Sequence, residues 1–143
     1  PNLTDKDWLY GGEPATIKQT ILNGRMGIMP PMGAVIGDDG VKAATQYVMS
    51  LSGLTHDQAL AEKGKALFAT NCAVCHGADA KGNQTLGAPN LTDNIWLYGS
   101  SEKTISETIQ KGRPGQMPAW GGFLGEAKVH ILAAYVWGLS QKQ

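Results

Sequence analysis

"GKALFATNCAVCHGADAKGNQTLGAPNLTDNIWLYG" (residues 64–99) contains both cysteines of the chain, in the run CAVCH: Cys72, Cys75 and His76. The residues before it read as a helix. Those after it are rich in Gly, Asn and Pro and read as a loop. Two thiols one helical turn apart can each add to a vinyl group of one porphyrin, and the histidine that follows then sits beneath the iron. This is the spacing of c-type haem attachment. Two other chemistries use such a cysteine pair. A thioredoxin-like redox disulfide needs a βαβ setting that is missing here. A four-ligand zinc site needs two more Cys or His, and only His56 and His130 remain, neither at metal-site spacing. The sequence therefore points to one covalently bound haem c per chain.

Working outward, the end of this stretch has a second copy. "PNLTDNIWLYGS" (89–100) is matched by "PNLTDKDWLYGG" (1–12) at the start of the chain. At that constant offset Ile17 falls on Ile105, Ile21 on Ile109, and "NGRMGIMPPMG" (23–33) on "KGRPGQMPAWG" (111–121). The match continues to "QYVMSLS" (46–52) over "AYVWGLS" (134–140). About half of the aligned residues are identical, which marks an internal duplication. Units of this length are small domains in tandem rather than solenoid repeats.

The 143 residues carry 12 Lys and Arg against 12 Asp and Glu. Zero formal charge and the lack of a basic stripe argue against nucleic-acid binding. Gly is abundant and Phe scarce, and small domains with few large side chains usually need a staple or a cofactor to complete their core. The longest nearly apolar run, "VHILAAYVWGL" (129–139), is too short to span a bilayer, which takes about 20 residues. No signal peptide is present.

The expected elements are helices, and no strand pattern is evident. Residues 55–71 form one, with Thr55 and Gln58 as a capping box and Leu60, Gly64, Leu67 and Phe68 on its apolar stripe. Gly64 costs about 1 kcal/mol inside a helix, so another helix is expected to approach it closely. A second helix spans 101–111 with Ile105 and Ile109 inward and Gly112 as its stop. A third spans 126–139 with Val129, Leu132, Val136 and Leu139 buried. The first repeat has helices near 13–23 and 38–51, and residues 52–58 link the repeats.

Haem iron takes a sixth ligand or keeps an open position, and the choice separates carrier from enzyme. Met117 is the best candidate. It lies in a Gly- and Pro-rich loop, and Met29 occupies the same place in the other repeat, each followed by proline. Buried methionines are usually flexible core fillers, which is the reading for Met26, Met32 and Met49. His/Met ligation leaves no vacant position and favours electron transfer over oxygen or peroxide chemistry. His130 falls on Lys42 of the other repeat and is read as surface, as is His56. Arg25 and Arg113 precede the methionine loops. Each is either a surface charge suited to a helix C-terminus or a partner for a haem propionate. Trp96, Tyr98 and Trp120 are read as core and haem-wall residues.

These residues together resemble class I cytochrome c domains. The doubled "PNLTD..WLYG…GR…MP" is more narrowly similar to the dihaem subunit III of cbb3-type cytochrome c oxidases. The resemblance covers nearly the whole chain. It implies an all-α class I cytochrome c fold with haem held by Cys72 and Cys75. The iron would lie between His76 and Met117, with Arg113 and Trp120 as further haem contacts. Met29 would be the axial methionine of a second haem. It also implies a membrane-anchored respiratory subunit on the periplasmic side of a bacterial inner membrane. Such a subunit takes electrons from a donor cytochrome c and passes them to the catalytic subunit, without reducing oxygen itself.

The first repeat lacks its own C-x-x-C-H, because the equivalent offset before Pro1 lies outside the chain. The expectation is a soluble fragment of a longer, anchored dihaem protein: residues 1–53 as the rear half of a first domain, residues 54–143 as a complete second one. Residues 1–53 would then be partly disordered, docked on the intact domain, or exchanged with another copy in a domain-swapped dimer. Rival readings are a soluble dihaem carrier, a dihaem peroxidase and a haem-based sensor.

Overall fold

The structure, a computed structural model, describes residues 1–141. Seven helices and two five-residue strands are present among them, so the chain is helix-rich rather than purely helical. The strands, β1 (Arg25–Met29) and β2 (Arg113–Met117), fall in the glycine-rich "GR…M" segments. Alternation of apolar and polar residues is weak there, which is why no strand was expected.

The helices are α1 (Pro14–Asn23), α2 (Gly33–Leu51), α3 (Gln58–Asn71), α4 (Ala73–His76), α5 (Glu102–Lys111), α6 (Gly121–Leu124) and α7 (Glu126–Gln141). The expected start of a helix near residue 38 is the point where α2 kinks, at Gly37 with φ +71°. The cap of α3 is Asp57, not Thr55: its carboxylate accepts from the Leu60 amide at 2.9 Å. An aspartate at the N-cap accepts in the same way and satisfies one orphan donor of the first turn. Ser101 caps α5 likewise, accepting from the Thr104 amide at 3.1 Å.

The described chain divides into two compact units, and neither follows the repeat boundary expected at 53/54. One is Ile28–Arg113; the other joins Pro1–Gly27 to Pro114–Gln143. Each therefore combines the forward part of one repeat with the rear part of the other. The physical cause is connectivity. The link between α2 and α3 is only residues 52–57, and helices joined by so short a loop pack as neighbours.

In the Ile28–Arg113 unit, α2 packs on both α3 and α5. Its core is Val41, Ala44, Val48, Met49, Ile105 and Ile109, with Met29, Met32, Leu91 and Trp96 packed around it. Phe68 of α3 meets Tyr47 of α2 with ring centroids 5.3 Å apart. The close approach expected at Gly64 is present: a Cβ there would collide with the Ala43 carbonyl oxygen and lie 2.8 Å from Tyr47 Cβ. Buried Gln46 ties three elements together. Its side-chain oxygen accepts from the Asp57 amide at 2.8 Å, and its Nε2 donates to Glu102 at 2.8 Å.

In the other unit α1 packs on α6 and α7. Its core is Ile17, Ile21, Val129 and Ala133, with Trp8, Leu22, Leu124 and Val136 around it. The buried stripe of α7 is Val129, Ala133 and Ser140, while Leu132 is exposed. The expectation for Leu132 fails because α7 is apolar on nearly every side, so periodicity alone could not choose its inner face. Lys18 pairs with Glu126 at 2.9 Å.

Alanine is the better helix former by about 1 kcal/mol, but at Gly64 the collision with Ala43 reverses the sign. Gly64→Ala is expected to destabilise the protein by roughly 1–3 kcal/mol, read as a lower urea midpoint by tryptophan fluorescence. The Lys18 hydrogen bond, followed by its charge, lowers the pKa of Glu126. A carboxylate lowered on folding stabilises the fold above its unfolded pKa, and that stabilisation is lost as pH falls through the folded value. Lys18→Gln should return the Glu126 NMR titration to the ordinary carboxylate range and flatten this acid-side loss. An unchanged titration would contradict the pairing.

Candidate haem site

The cysteine motif begins where α3 ends. Cys72 is the C-cap of α3 and the residue before α4, and its carbonyl accepts from the amides of Cys75 at 3.1 Å and His76 at 3.0 Å. This single turn sets the two thiols on one side. Both cysteines are free thiols and half-buried. Burial, and then the neighbouring Cys75, raise the pKa of Cys72, so its thiol stays protonated at neutral pH.

His76 is buried, and its Nδ1–H donates to the Pro89 carbonyl at 3.1 Å. A carbonyl only accepts, so this bond fixes the proton on Nδ1 and leaves the Nε2 lone pair free. Burial lowers the imidazole pKa against the opposing effect of the Pro89 bond. The ring is thus a neutral, oriented donor, the form in which histidine binds metals.

Pro89 was not among the expected site residues. The loop that brings it to His76 is folded by Gly82, whose amide donates to the His76 carbonyl at 2.8 Å. Gly82 has φ +85°, and a Cβ there would stand 2.5 Å from the Ala88 oxygen. Leu91 then donates to Ala80 at 2.8 Å. The repeated "PNLTD" explains itself here. Asn90 Oδ1 accepts from the Thr92 amide at 2.9 Å and its hydroxyl at 2.7 Å, an Asx turn directly after Pro89. Asn2 and Thr4 make the same pair of bonds at 3.0 and 2.8 Å. The duplicated motif was the signal that could have pointed to Pro89.

The residues present fit a haem c. They offer two adjacent thiols, an imidazole with one free nitrogen, and a following segment in which Leu86, Ile95, Leu97 and Tyr98 are exposed. A run of uncovered apolar side chains suits an apolar ligand. The zinc alternative lacks its donors: among the described residues no group of three His, Cys, Asp or Glu is placed to hold a metal.

The other expected site residues are divided between the units. Arg113 lies with Cys72, Cys75 and His76, and so does Met29; Met117 and Trp120 belong to the other unit. Met117 and Trp120 are exposed, and the Trp120 ring meets Phe123 edge-on at 6.0 Å. Met26, read as a core filler, is exposed, whereas Met49 is buried and Met32 packs on the core. Arg113 donates through Nε to Thr108 at 2.9 Å and stacks over the Tyr98 ring at 4.5 Å. Arg25 does the same with Thr20 and Tyr10, at 2.9 and 4.7 Å. The "WLYG…GR" pattern thus encodes a cation–π pair beside a helix end in each repeat. His130 is exposed as expected; His56 is half-buried, with Nδ1–H donating to the Leu54 carbonyl at 2.8 Å.

A family model described as "Cytochrome C oxidase, cbb3-type, subunit III" matches residues 59–136. The chain belongs to the subunit III family of cbb3-type cytochrome c oxidases. It is 51% identical over 142 residues to the CcoP subunit of Rubrivivax gelatinosus, covering 99% of this chain and 46% of that protein. It is 45% identical to the FixP subunit of Sinorhizobium medicae, covering 97% and 51%, and 42% identical to CcoP of Rhodobacter capsulatus, covering 100% and 54%. The chain spans about half the length of these curated relatives. The cofactor of this cytochrome family is covalently bound haem c. No helix among the described residues is long and apolar enough to cross a membrane.

The Gly82 turn sets the Pro89 carbonyl, and through it the His76 ring. Gly82→Ala combines a strained φ with a contact against Ala88. It should cost roughly 1–3 kcal/mol and lower the yield of covalent haem per chain, measured by haem stain against total protein. Unchanged stability and yield would show that the turn does not hold the histidine.

Proposed function

We propose that this chain is the electron-relay part of a cbb3-type oxidase subunit, built on a class I cytochrome c fold. It accepts one electron at a time from a donor cytochrome and delivers it to the catalytic subunit on the periplasmic side of the inner membrane. It does not reduce oxygen itself. The observation that carries this reading is the Cys72–His76 turn, where two thiols stand beside an imidazole locked by Pro89 with its second nitrogen free.

In this reading Cys72 and Cys75 hold the porphyrin through thioether bonds, and His76 Nε2 binds the iron. The bound haem supplies a single metal centre that cycles between ferric and ferrous states. The protein's part is to hold the ligands still. The Pro89 bond keeps the ring from rotating, and the buried position of His76 keeps water from competing for it. A thioether as second protein ligand closes the iron to oxygen and raises its reduction potential. The doubled Met-Pro loops supply two candidates, Met117 and Met29. Zero net charge favours docking to partners through local patches rather than through overall steering.

The test begins with the matured protein. The pyridine haemochrome assay should give one covalent haem per chain, and Cys72→Ser combined with Cys75→Ser should abolish haem staining on a denaturing gel. Reduced protein should be reoxidised at least tenfold faster with the remaining oxidase subunits than by dissolved oxygen alone. Equal rates, or rapid turnover of peroxide, would sink the relay reading.

A further inference from the structure

Arg25 and Arg113 hold the same place in the two repeats, and their nearest bonds are the same. Each Nε donates to a threonine at 2.9 Å, Thr20 or Thr108. Each guanidinium lies over a tyrosine ring, Tyr10 at 4.7 Å or Tyr98 at 4.5 Å. The helix that leads into each arginine differs. On α5, Glu107 pairs with Lys111 at 2.9 Å. The Lys111 bond lowers the pKa of the Glu107 carboxyl, with a smaller contribution from the Arg113 charge, so Arg113 has a counter-charge within its own unit. The equivalent positions on α1 are Gln19 and Asn23. They keep the bond, with Asn23 Nδ2 donating to Gln19 Oε1 at 2.7 Å, but neither side chain is charged.

Arg25 is left without a counter-charge: among the described residues no carboxylate pairs with it. A guanidinium has five N–H donors, and the bond to Thr20 uses one of them. The side chain borders an open recess of about 430 Å³ whose other walls are Ala15, Thr16, Gln19, Asn23 and Gly24. Those walls are neutral, and the two amides add further N–H donors. The recess on α5 is walled by Lys103, Ser106, Glu107, Gln110 and Lys111, so it contains a carboxylate of its own. The C-terminal end of α1 favours the arginine and disfavours an anion. An anion therefore binds beside Arg25 only through direct bonds to the guanidinium.

We propose that the Arg25 recess is a docking point for an acidic side chain of a partner protein. The planar fork of arginine matches a carboxylate through two parallel bonds. Tyr10 and Thr20 already orient it, so little side-chain freedom is lost on binding. The shape selects the source of the carboxylate. Small-molecule sites enclose most of their ligand, whereas this recess is open and covers a single side chain projecting from a larger surface. The proposal rests on the relay reading only for the kind of partner, a redox protein with Asp or Glu on its contact face. A chain of zero net charge has to recognise such a partner through a local feature of this sort.

The test titrates the full matured chain, reduced and labelled with nitrogen-15, with a hexaglutamate peptide at low salt. Hexaglutamine and succinate serve as the comparison probes. Hexaglutamate should move the Arg25 Nε–H signal and the side-chain amide signals of Gln19 and Asn23, while the Arg113 Nε–H signal stays in place. The movement should vanish at about 0.15 M salt, where exposed charges more than about 8 Å apart are screened. Arg25→Gln should weaken peptide binding roughly threefold, the size of one exposed ion pair. Gln19→Glu, which copies Glu107, should weaken it by a similar factor, and Arg25→Lys should fall between Arg25→Gln and wild type. A stationary Arg25 signal, equal movement of Arg113, or unchanged binding by Arg25→Gln would overturn the proposal. So would an equal response to hexaglutamine, or to succinate carboxylate for carboxylate, the latter marking a small-molecule site. The relay reading fails separately, through absence of covalent haem or of reoxidation by the oxidase subunits, and peptide binding does not depend on either.

Discussion

Gly64 lets the backbone of α3 come against α2 with no side chain between them, and the organisation of the haem-bearing unit depends on that approach. Without it, Tyr47 could not reach Phe68, and the Gln46 amide could not bond both the start of α3 and the start of α5. Burial of Val41, Val48 and Met49 against Ile105 and Ile109 adds the larger energy, since each such side chain contributes about 1.5–3 kcal/mol when fully buried. The polar bonds contribute register more than energy. A buried glutamine has to satisfy both ends of its amide, and only one placement of α2 does so.

The site obeys the same logic at smaller scale. His76 is buried, so its amide, carbonyl and ring all need partners. It finds them in Cys72, Gly82 and Pro89. Three bonds from three different segments orient the ring more firmly than the helix turn alone would. The neutral thiol and neutral imidazole follow from burial, because desolvation penalises the charged form of each. A neutral imidazole is the form that can bind iron, and two thiols beside an apolar segment suit covalent attachment of a porphyrin.

Much of this was legible in the sequence, because local rules governed it. The helix ends at Gly24 and Gly112, the apolar pairs Ile17 with Ile21 and Ile105 with Ile109, and the close approach at Gly64 all follow from spacing. The C-x-x-C-H turn was legible for the same reason. The strands were not, since "GRMGIM" and "GRPGQM" carry too few alternating residues to register as extended. Nor was the buried face of α7, because an element apolar all round offers no contrast to read. Pro89 acts through its carbonyl, which every residue has, so its side chain announces nothing.

The division of the methionines shows a limit of a different kind. Duplicated halves have nearly interchangeable interfaces: the bond from Met32 to Ile109 and that from Trp120 to Ile21 are the same bond in two places. Side-chain identity therefore barely distinguishes pairing within a repeat from pairing across repeats. The difference must come from chain connectivity, where the entropy of closing a short loop is smaller than that of a long one. Residues 52–57 make α2 and α3 immediate neighbours, whereas α3 and α7 are separated by the whole of α4, α5 and α6. A pattern of matching letters cannot weigh that term. It explains why repeat alignment and compact-unit composition divide the chain differently.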